Sequence, residues 1–213
     1  ADGKTVWHTA KDGSYYYGVF WSGMPDLNYT NPAVTAEMED VTDFWLTQVG
    51  IDGFRLDAAR HLIEEGRNLE NTEETHTWLQ GFREAYKTQK ADALTVGEIW
   101  DKSSVVSTYV KGNELDLAFN FDLASAWVLA AASKDARTAS FVLNRDLQAF
   151  QPGQFATFLA NHDQSRVMNQ VNGEVLRAKT AASLMLTAPG VPFVYYCEEI
   201  GMTGMNPDPQ MPP

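Results

Sequence analysis

Residues 50–61, Gly-Ile-Asp-Gly-Phe-Arg-Leu-Asp-Ala-Ala-Arg-His, are the stretch from which the fold of this chain is best predicted. They are typical of a short β-strand that runs into a polar end. Residues two apart on a strand share a face, so Arg55 and Asp57 are expected on one side and the apolar Phe54 and Leu56 on the other. A charged pair is costly to bury unless its two groups meet. A surface strand with a solvated Arg and Asp would also give this pattern.

Predicted strands alternate with predicted helices five times along the chain, and one of the helices precedes this stretch. Asn31 and Pro32 are typical of a helix start, and Gly50 of a helix end. Further helices are predicted over residues 75–89, 123–132, 141–150 and 174–188, and further strands over 93–99, 115–121, 155–160 and 191–196. The aromatic-rich residues 1–30 and the proline-rich residues 204–213 are predicted to be loops. This alternation implies a parallel sheet with crossover helices, and either a doubly wound sheet or an α/β barrel would fit.

The composition excludes some classes of function. The chain has 213 residues, 44% of them hydrophobic, which suffices for a packed core. Its net charge of −12 argues against binding nucleic acid or anionic membranes. No apolar run is long enough to span a bilayer. No glycine-rich phosphate loop follows any predicted strand, which counts against a nucleotide-binding sheet.

Three predicted strands end in a carboxylate, at Asp57, Glu98 and Asp163. The carboxyl ends of parallel strands open on the same side of a sheet, so these acids are expected to converge. One such acid is weak evidence because Asp also caps helices. Three acids, with Arg55 and His162 beside them, predict a site.

Two carboxylates that face one scissile bond are the apparatus of glycoside hydrolysis. Asp57 is the better candidate for the ionised group because a nearby guanidinium favours the charged form. Glu98 is flanked by apolar residues, and desolvation would raise its pKa and suit it to donate a proton. A metal site of His and carboxylate ligands, built from Asp57, Asp163, His61 and His162, is the competing interpretation.

Several segments resemble signatures of the alpha-amylase family of glycoside hydrolases, glycoside hydrolase family 13. They are Gly53–His61, Gly97–Trp100 and Phe158–Asp163, in the family's order. Met24–Asn28 resembles a fourth segment, found in a subgroup between oligo-1,6-glucosidases and neopullulanases. Val191–Tyr196 resembles the last strand of the family's barrel. The resemblance implies a (β/α)8 TIM barrel, of which this chain covers about strands 4 to 8.

The resemblance also implies a role for each site residue. The acids Asp57, Glu98 and Asp163 would be the nucleophile, the general acid/base, and a third carboxylate that distorts the sugar and stabilises the transition state. Arg55 would hold the nucleophile. The remaining substrate-binding residues would be Arg60, His61, His162 and Trp100. Arg60 stands where alpha-amylases have Lys, which keeps the charge and changes the donor geometry.

Three regions follow from the resemblance. Residues 1–30 would be the end of the segment inserted between the third strand and third helix of the barrel, residues 31–203 a partial barrel, and residues 204–213 the loop after the eighth strand.

The backbone carbonyl of His61 would bind a structural calcium whose other ligands lie upstream of residue 1. The missing N-terminal part of the barrel is therefore an expected partner. Cys197 stands where the family usually has Gly, and a small buried thiol is the simplest interpretation.

The activity that the resemblance implies is endo-hydrolysis of α-1,4 bonds in starch or maltodextrin, with retention of configuration. The ending Ala58–His61 favours this activity over that of an oligo-1,6-glucosidase. An exo-glucosidase, a glucanotransferase, or a non-catalytic sugar-binding or partner fragment are the alternatives. An extracellular or periplasmic location is expected from the family alone.

Overall fold

The computed structural model describes residues 5–206, and the chain divides into two compact units, Ala1–Glu98 and Ile99–Pro213. The first unit contains an antiparallel pair of strands and a parallel pair. Its elements are β1 (Trp7–Thr9), β2 (Tyr15–Tyr17), α1 (Pro32–Asp43), a π-helical segment (Phe44–Val49), β3 (Gly53–Leu56), a 3₁₀ turn (Ala59–His61), α2 (Glu73–Gln89) and β4 (Leu94–Gly97).

The predicted start and end of the first helix are confirmed. The side chain of Asn31 accepts a hydrogen bond from the backbone N–H of Ala33 at 3.0 Å, and Pro32 is the first helical residue. The helix continues into the π-helical segment and ends at Gly50, whose φ of 82° is left-handed. A residue without a Cβ adopts that conformation without strain.

The prediction of a loop over residues 1–30 is wrong in part, because β1 and β2 form a hairpin there. Trp7 pairs with Tyr17 and Thr9 with Tyr15. The connection is closed by a hydrogen bond from the N–H of Ala10 to the carbonyl of Ser14, and Gly13 supplies a φ of 86°. Each strand has only three residues, which is too short for an alternating pattern to stand out among so many aromatic residues.

β3 runs parallel to β4, and its apolar side chains face the core as predicted. Phe54 and Leu56 pack against a buried cluster that includes Leu46, Phe82 and Tyr86. A Cβ at Gly53 would collide with the backbone carbonyl oxygen of Leu94 on the neighbouring strand. Glycine at this position therefore lets β3 lie against its neighbour.

The second unit has three parallel strands in the order β5, β6, β7. Helix α5 is its central helix and packs against both α6 and α8. The elements are α3 (Ser103–Val106), α4 (Thr108–Lys111), β5 (Leu117–Phe119), α5 (Phe121–Ser133), α6 (Arg137–Ala149), β6 (Phe155–Thr157), α7 (Val167–Gln170), α8 (Val175–Thr187) and β7 (Val191–Pro192).

The strands of both units are shorter than predicted. The strand predicted over residues 191–196 is paired only at Val191 and Pro192, and that predicted over 155–160 ends at Thr157. The apolar residues that follow β6, Phe158 to Ala160, are buried outside the strand. The apolar runs in the sequence therefore predicted which residues are buried, and the buried residues continue beyond those that pair in the strands. The short helices α3, α4 and α7 were not predicted.

A buried polar network fixes α5 to α6 in the second unit. The side chain of Asn120 accepts a hydrogen bond from the N–H of Leu123 at the start of α5 and donates one to Asp146 at 2.7 Å. Asp146 is fully buried and is also paired with Arg145 at 3.0 Å. The carboxylate is thus compensated, as a buried charge requires. Within residues 5–206, no helix combines the length and the apolar character needed to cross a membrane.

Candidate active site

Two carboxylates and one guanidinium meet at the ends of β3 and β4. Leu56 lies opposite Gly97 in the parallel register, so the next residues, Asp57 and Glu98, emerge side by side. Nη1 of Arg55 donates to Oδ1 of Asp57 at 2.6 Å, and Nη2 donates to Oε2 of Glu98 at 2.9 Å. One arginine therefore bridges both acids through two charge-assisted hydrogen bonds.

The backbone that follows Asp57 also holds Glu98. Ala58 has left-handed dihedral angles, φ 43° and ψ 40°, which are unusual for a residue with a Cβ. In this conformation its N–H donates to Oε2 of Glu98 at 3.1 Å. The next N–H, that of Ala59, donates to the backbone carbonyl of Glu98 at 3.0 Å. Both the side chain and the main chain of Glu98 are thus tied to the turn after Asp57.

The two acids differ in their exposure to solvent. The side chain of Asp57 is 72% exposed, whereas that of Glu98 is 12% exposed. Burial raises the pKa of Glu98 above its ordinary value, and the hydrogen bond from Ala58 and the charge of Arg55 oppose this shift without cancelling it. The negative charge of Asp57 raises the pKa of Glu98 further. The upward direction predicted for this group by the desolvation argument is confirmed.

Arg60 and His61 lie on the 3₁₀ turn after the two acids, and both contact other residues of the first unit. Nε of Arg60 donates to the ring of His61 at 3.1 Å, and its guanidinium is 3.3 Å from Glu70. Nδ1 of His61 is 3.0 Å from the carbonyl of Leu69, and Phe20 contacts the ring edge-on. The imidazole is therefore fixed in place by protein groups.

The second unit carries the other predicted site residues. Asp163 lies in a turn six residues beyond the end of β6, which corrects the prediction that it ends the strand itself. Its N–H donates to the side chain of Asn161 at 3.0 Å, and its carboxylate is 3.3 Å from Nε2 of His162. The side chain of His162 is 56% exposed. Trp100 stacks on Phe121 with ring centroids 4.5 Å apart, so one face of the indole is occupied by protein.

The described residues do not complete a metal site. Across residues 5–206, no three His, Cys, Asp or Glu side chains are placed to share a metal ion.

Sequence reasoning missed two parts of this geometry. The bond from Arg55 to Glu98, 43 residues away, follows from pairing β3 with β4 in register, which strand positions alone do not give. The contribution of Ala58 is made by its backbone N–H, and a left-handed alanine has no signature in the sequence. A functional role for Ala58 could not have been inferred from its side chain.

This arrangement is suited to acid/base catalysis by Glu98 beside the exposed carboxylate of Asp57. Glu98 can hold and release a proton at a higher pH than an ordinary glutamate. Asp57 presents an open carboxylate to whatever binds above it. A closely spaced pair of this kind, one buried and one exposed, is the pattern expected of a carboxylate pair that divides proton donation from nucleophilic attack.

Known proteins have sequences similar to nearly the whole of this chain. "Alpha-amylase 3" of Dictyoglomus thermophilum is 40% identical over 210 residues, which is 96% of this chain and 40% of that protein. A "4-alpha-glucanotransferase" of Thermotoga neapolitana is 32% identical over 98% of this chain and 44% of its own length. The chain thus spans about two-fifths of the length of these relatives.

A solved structure extends the likeness to three dimensions. The alpha-amylase from H. orenii covers 95% of this chain with a TM-score of 0.80 and 41% identity, and 41% of that protein is matched. The parallel strands and crossover helices are accordingly those of part of a (β/α)8 barrel. The family description that matches residues 2–211 is the alpha amylase catalytic domain, and the chain belongs to the alpha-amylase family of glycoside hydrolases and transferases.

Proposed function

We propose that this chain is part of an endo-acting alpha-amylase that hydrolyses internal α-1,4 bonds of starch or maltodextrin with retention of configuration. The observation that carries the proposal is the pair Asp57 and Glu98 on the shared guanidinium of Arg55. Retaining glycosidases require two carboxyl groups roughly 5–5.5 Å apart, one of them protonated. Asp57 and Glu98 share the guanidinium of Arg55, and Glu98, whose pKa is raised by burial, is the protonated candidate.

The proposed mechanism assigns one step to each acid. Asp57 attacks the anomeric carbon while Glu98 gives its proton to the glycosidic oxygen, and a covalent glycosyl ester forms as the leaving sugar departs. Glu98, now ionised, takes a proton from water, and the resulting hydroxide displaces Asp57. Arg55 keeps the nucleophile oriented during both steps. By the resemblance to the family, Asp163 is the third carboxylate, and Arg60, His61, His162 and Trp100 bind the sugar.

The test is hydrolysis of maltoheptaose by the complete enzyme, followed by anomer-resolved NMR. We expect fresh α-anomer product, and we expect Asp57→Asn to lower the rate by about 10⁴-fold because the covalent step is lost. Asp40→Asn, the same change at an exposed position on α1, should leave the rate unchanged. Fresh β-anomer, or full activity in Asp57→Asn, would contradict the assignment.

A glucanotransferase is the second candidate, favoured by the Thermotoga neapolitana relative. Hydrolases and transferases of this kind share the first step and differ in whether water or a sugar hydroxyl resolves the ester. Products longer than maltoheptaose would indicate transfer. A ladder of shorter products would indicate endo-hydrolysis, and a single small product exo-action.

We further propose that a structural calcium binds the carbonyl of His61 with ligands from upstream of residue 1, and that the enzyme is exported.

A further inference from the structure

The segment after β7 is bound to the turn that carries Asp163. The side-chain Nδ2 of Asn206 donates to the backbone carbonyl of Asp163 at 2.6 Å, and the backbone N–H of Asn206 donates to Oγ of Ser165 at 3.0 Å. These two bonds span 43 and 41 residues of sequence, so they join two distant parts of the second unit.

Two more hydrogen bonds extend this contact to the start of α7. The N–H of Arg166 donates to the carbonyl of Gly204 at 2.8 Å, and the N–H of Gly204 donates to Oδ1 of Asn169 at 2.6 Å. A Cβ at position 204 would lie only 3.2 Å from Cγ of Arg166. Four hydrogen bonds and a close fit therefore hold residues 204–206 against residues 163–169.

Arg166 fixes the same turn to the segment that follows β7. It is 6% exposed, and its guanidinium lies 4.1 Å from the ring centre of Tyr195 and 4.2 Å from that of Tyr196. It also donates to the backbone carbonyl of Tyr196. Cation–π contacts of a buried arginine are stronger than exposed ones. The far side of the turn is thus anchored independently of Asn206.

The backbone of Asp163 is held on both sides by asparagine side chains. Asn161 accepts from its N–H at 3.0 Å, and Asn206 donates to its carbonyl at 2.6 Å. Fixing both peptide groups fixes the direction in which the Asp163 side chain leaves the backbone. We propose that Asn206 is a positioning residue for the carboxylate of Asp163. This inference rests on the proposed function, in which Asp163 stabilises the transition state.

The test is a double-mutant cycle on the complete enzyme with Asn206→Asp and Asp163→Asn. Asn206→Asp replaces the Nδ2 donor with an oxygen of nearly the same size that faces the carbonyl of Asp163. We expect kcat to fall about tenfold with little change in KM, because a misplaced carboxylate is felt mainly in the transition state. In the Asp163→Asn background, the same change should have almost no further effect.

The matched control is Asn144→Asp, the same chemical change at an exposed position of α6, which should leave kcat unchanged. Ser165→Ala removes the second contact of Asn206 and should lower kcat in the same direction, so the inference stays testable if Asn206→Asp fails to fold. Unchanged kcat in Asn206→Asp, or a loss that adds fully to that of Asp163→Asn, would overturn the positioning role. Full activity in Asp163→Asn alone would instead overturn the proposed function.

Discussion

At the scale of single residues, the difference between Asp57 and Glu98 is set by exposure more than by charge. Both carboxylates bind the same guanidinium, yet the side chain of Asp57 is 72% exposed and that of Glu98 is 12% exposed. Burial raises the pKa of Glu98 although the charge of Arg55 opposes the shift. The neighbouring Arg55 therefore does not determine which acid carries the proton. The exposed fraction of each side chain separates their roles.

This difference predicts the pH dependence of the enzyme. A carboxyl group with a raised pKa stays protonated to a higher pH, so kcat/KM should persist above the ordinary range of glutamate and fall as Glu98 ionises. Glu98→Gln should remove that alkaline limb and lower kcat about 10²–10⁴-fold on substrates with poor leaving groups. Glu84→Gln, at an exposed position of α2, is the matched control. An alkaline limb unchanged in Glu98→Gln would assign it to another group.

The raised pKa of Glu98 also affects the stability of the fold, with the opposite sign to that of an acid whose pKa is lowered on folding. The folded state binds more protons at Glu98 than the unfolded state between the ordinary pKa and the raised one. The contribution of this group to stability is therefore lost as pH rises through that window. Glu98→Gln should be relatively more stable than the parent on its alkaline side.

At the scale of structural elements, the turn after β7 explains the unusual cysteine. Cys197 has a left-handed φ of 61° and is half-buried. The resemblance to the family implies a glycine at this position. The thiol is thus less buried than the sequence suggested, and the backbone is the part of the residue under strain. A Cβ in this conformation costs about 1 kcal/mol relative to glycine.

Substitution of Cys197 tests whether its left-handed backbone lowers the stability of the fold. Cys197→Gly should raise the stability of the enzyme by about 1 kcal/mol, measured by chemical denaturation, because it removes the strained Cβ. Cys197→Ser keeps the Cβ and loses the thiol, so it should give no such gain. Equal stabilisation by both variants would show that the thiol, and not the backbone, was unfavourable.

Helices and strands were predictable where a cap or a long apolar period marked them. Asn31, Pro32 and Gly50 located the first helix, and the period from Trp78 to Tyr86 located α2. The hairpin of β1 and β2 was not predictable, because its pairing depends on contacts between strands of three residues. In the site, Asp57 and Glu98 were found from strand ends, whereas Asn206 lies in a loop and its partners Asp163 and Ser165 are 43 and 41 residues away.

At the scale of the whole molecule, both units expose large apolar side chains. In the first unit, Phe44, Trp45 and Val49 of the π-helical segment are 43–49% exposed. In the second, Leu176 is 77% exposed and Ile200 73%. Exposed apolar clusters of this kind mark surfaces that another part of a protein covers. The chain spans about two-fifths of its relatives, which leaves ample sequence for that role.

We therefore expect the chain produced alone to bind hydrophobic dyes and to self-associate in size-exclusion chromatography. Co-expression with the N-terminal remainder of the barrel should suppress both effects and give activity on maltoheptaose. A stable, dye-free monomer of residues 1–213 would contradict this expectation.

Calcium is expected to affect the thermal stability of the complete enzyme. If the carbonyl of His61 shares an ion with ligands upstream, calcium should raise the Tm of the complete enzyme, and a chelator should lower it. If those ligands lie upstream, as we propose, the chain alone should show no change in Tm. Equal calcium stabilisation of both would place the whole site within residues 1–213.

The two oxygens of Glu98 are not equivalent, and this limits how the acid can deliver its proton. Oε2 already receives two N–H donors, from Arg55 and Ala58, so a proton on this carboxyl group belongs on Oε1. Proton transfer is thereby confined to one edge of the carboxyl plane. A glutamine at this position would be forced into a single amide orientation, with its oxygen at Oε2 and its NH₂ at Oε1. Such a glutamine would resemble the protonated acid in shape and in the position of its donor, but it could not transfer a proton.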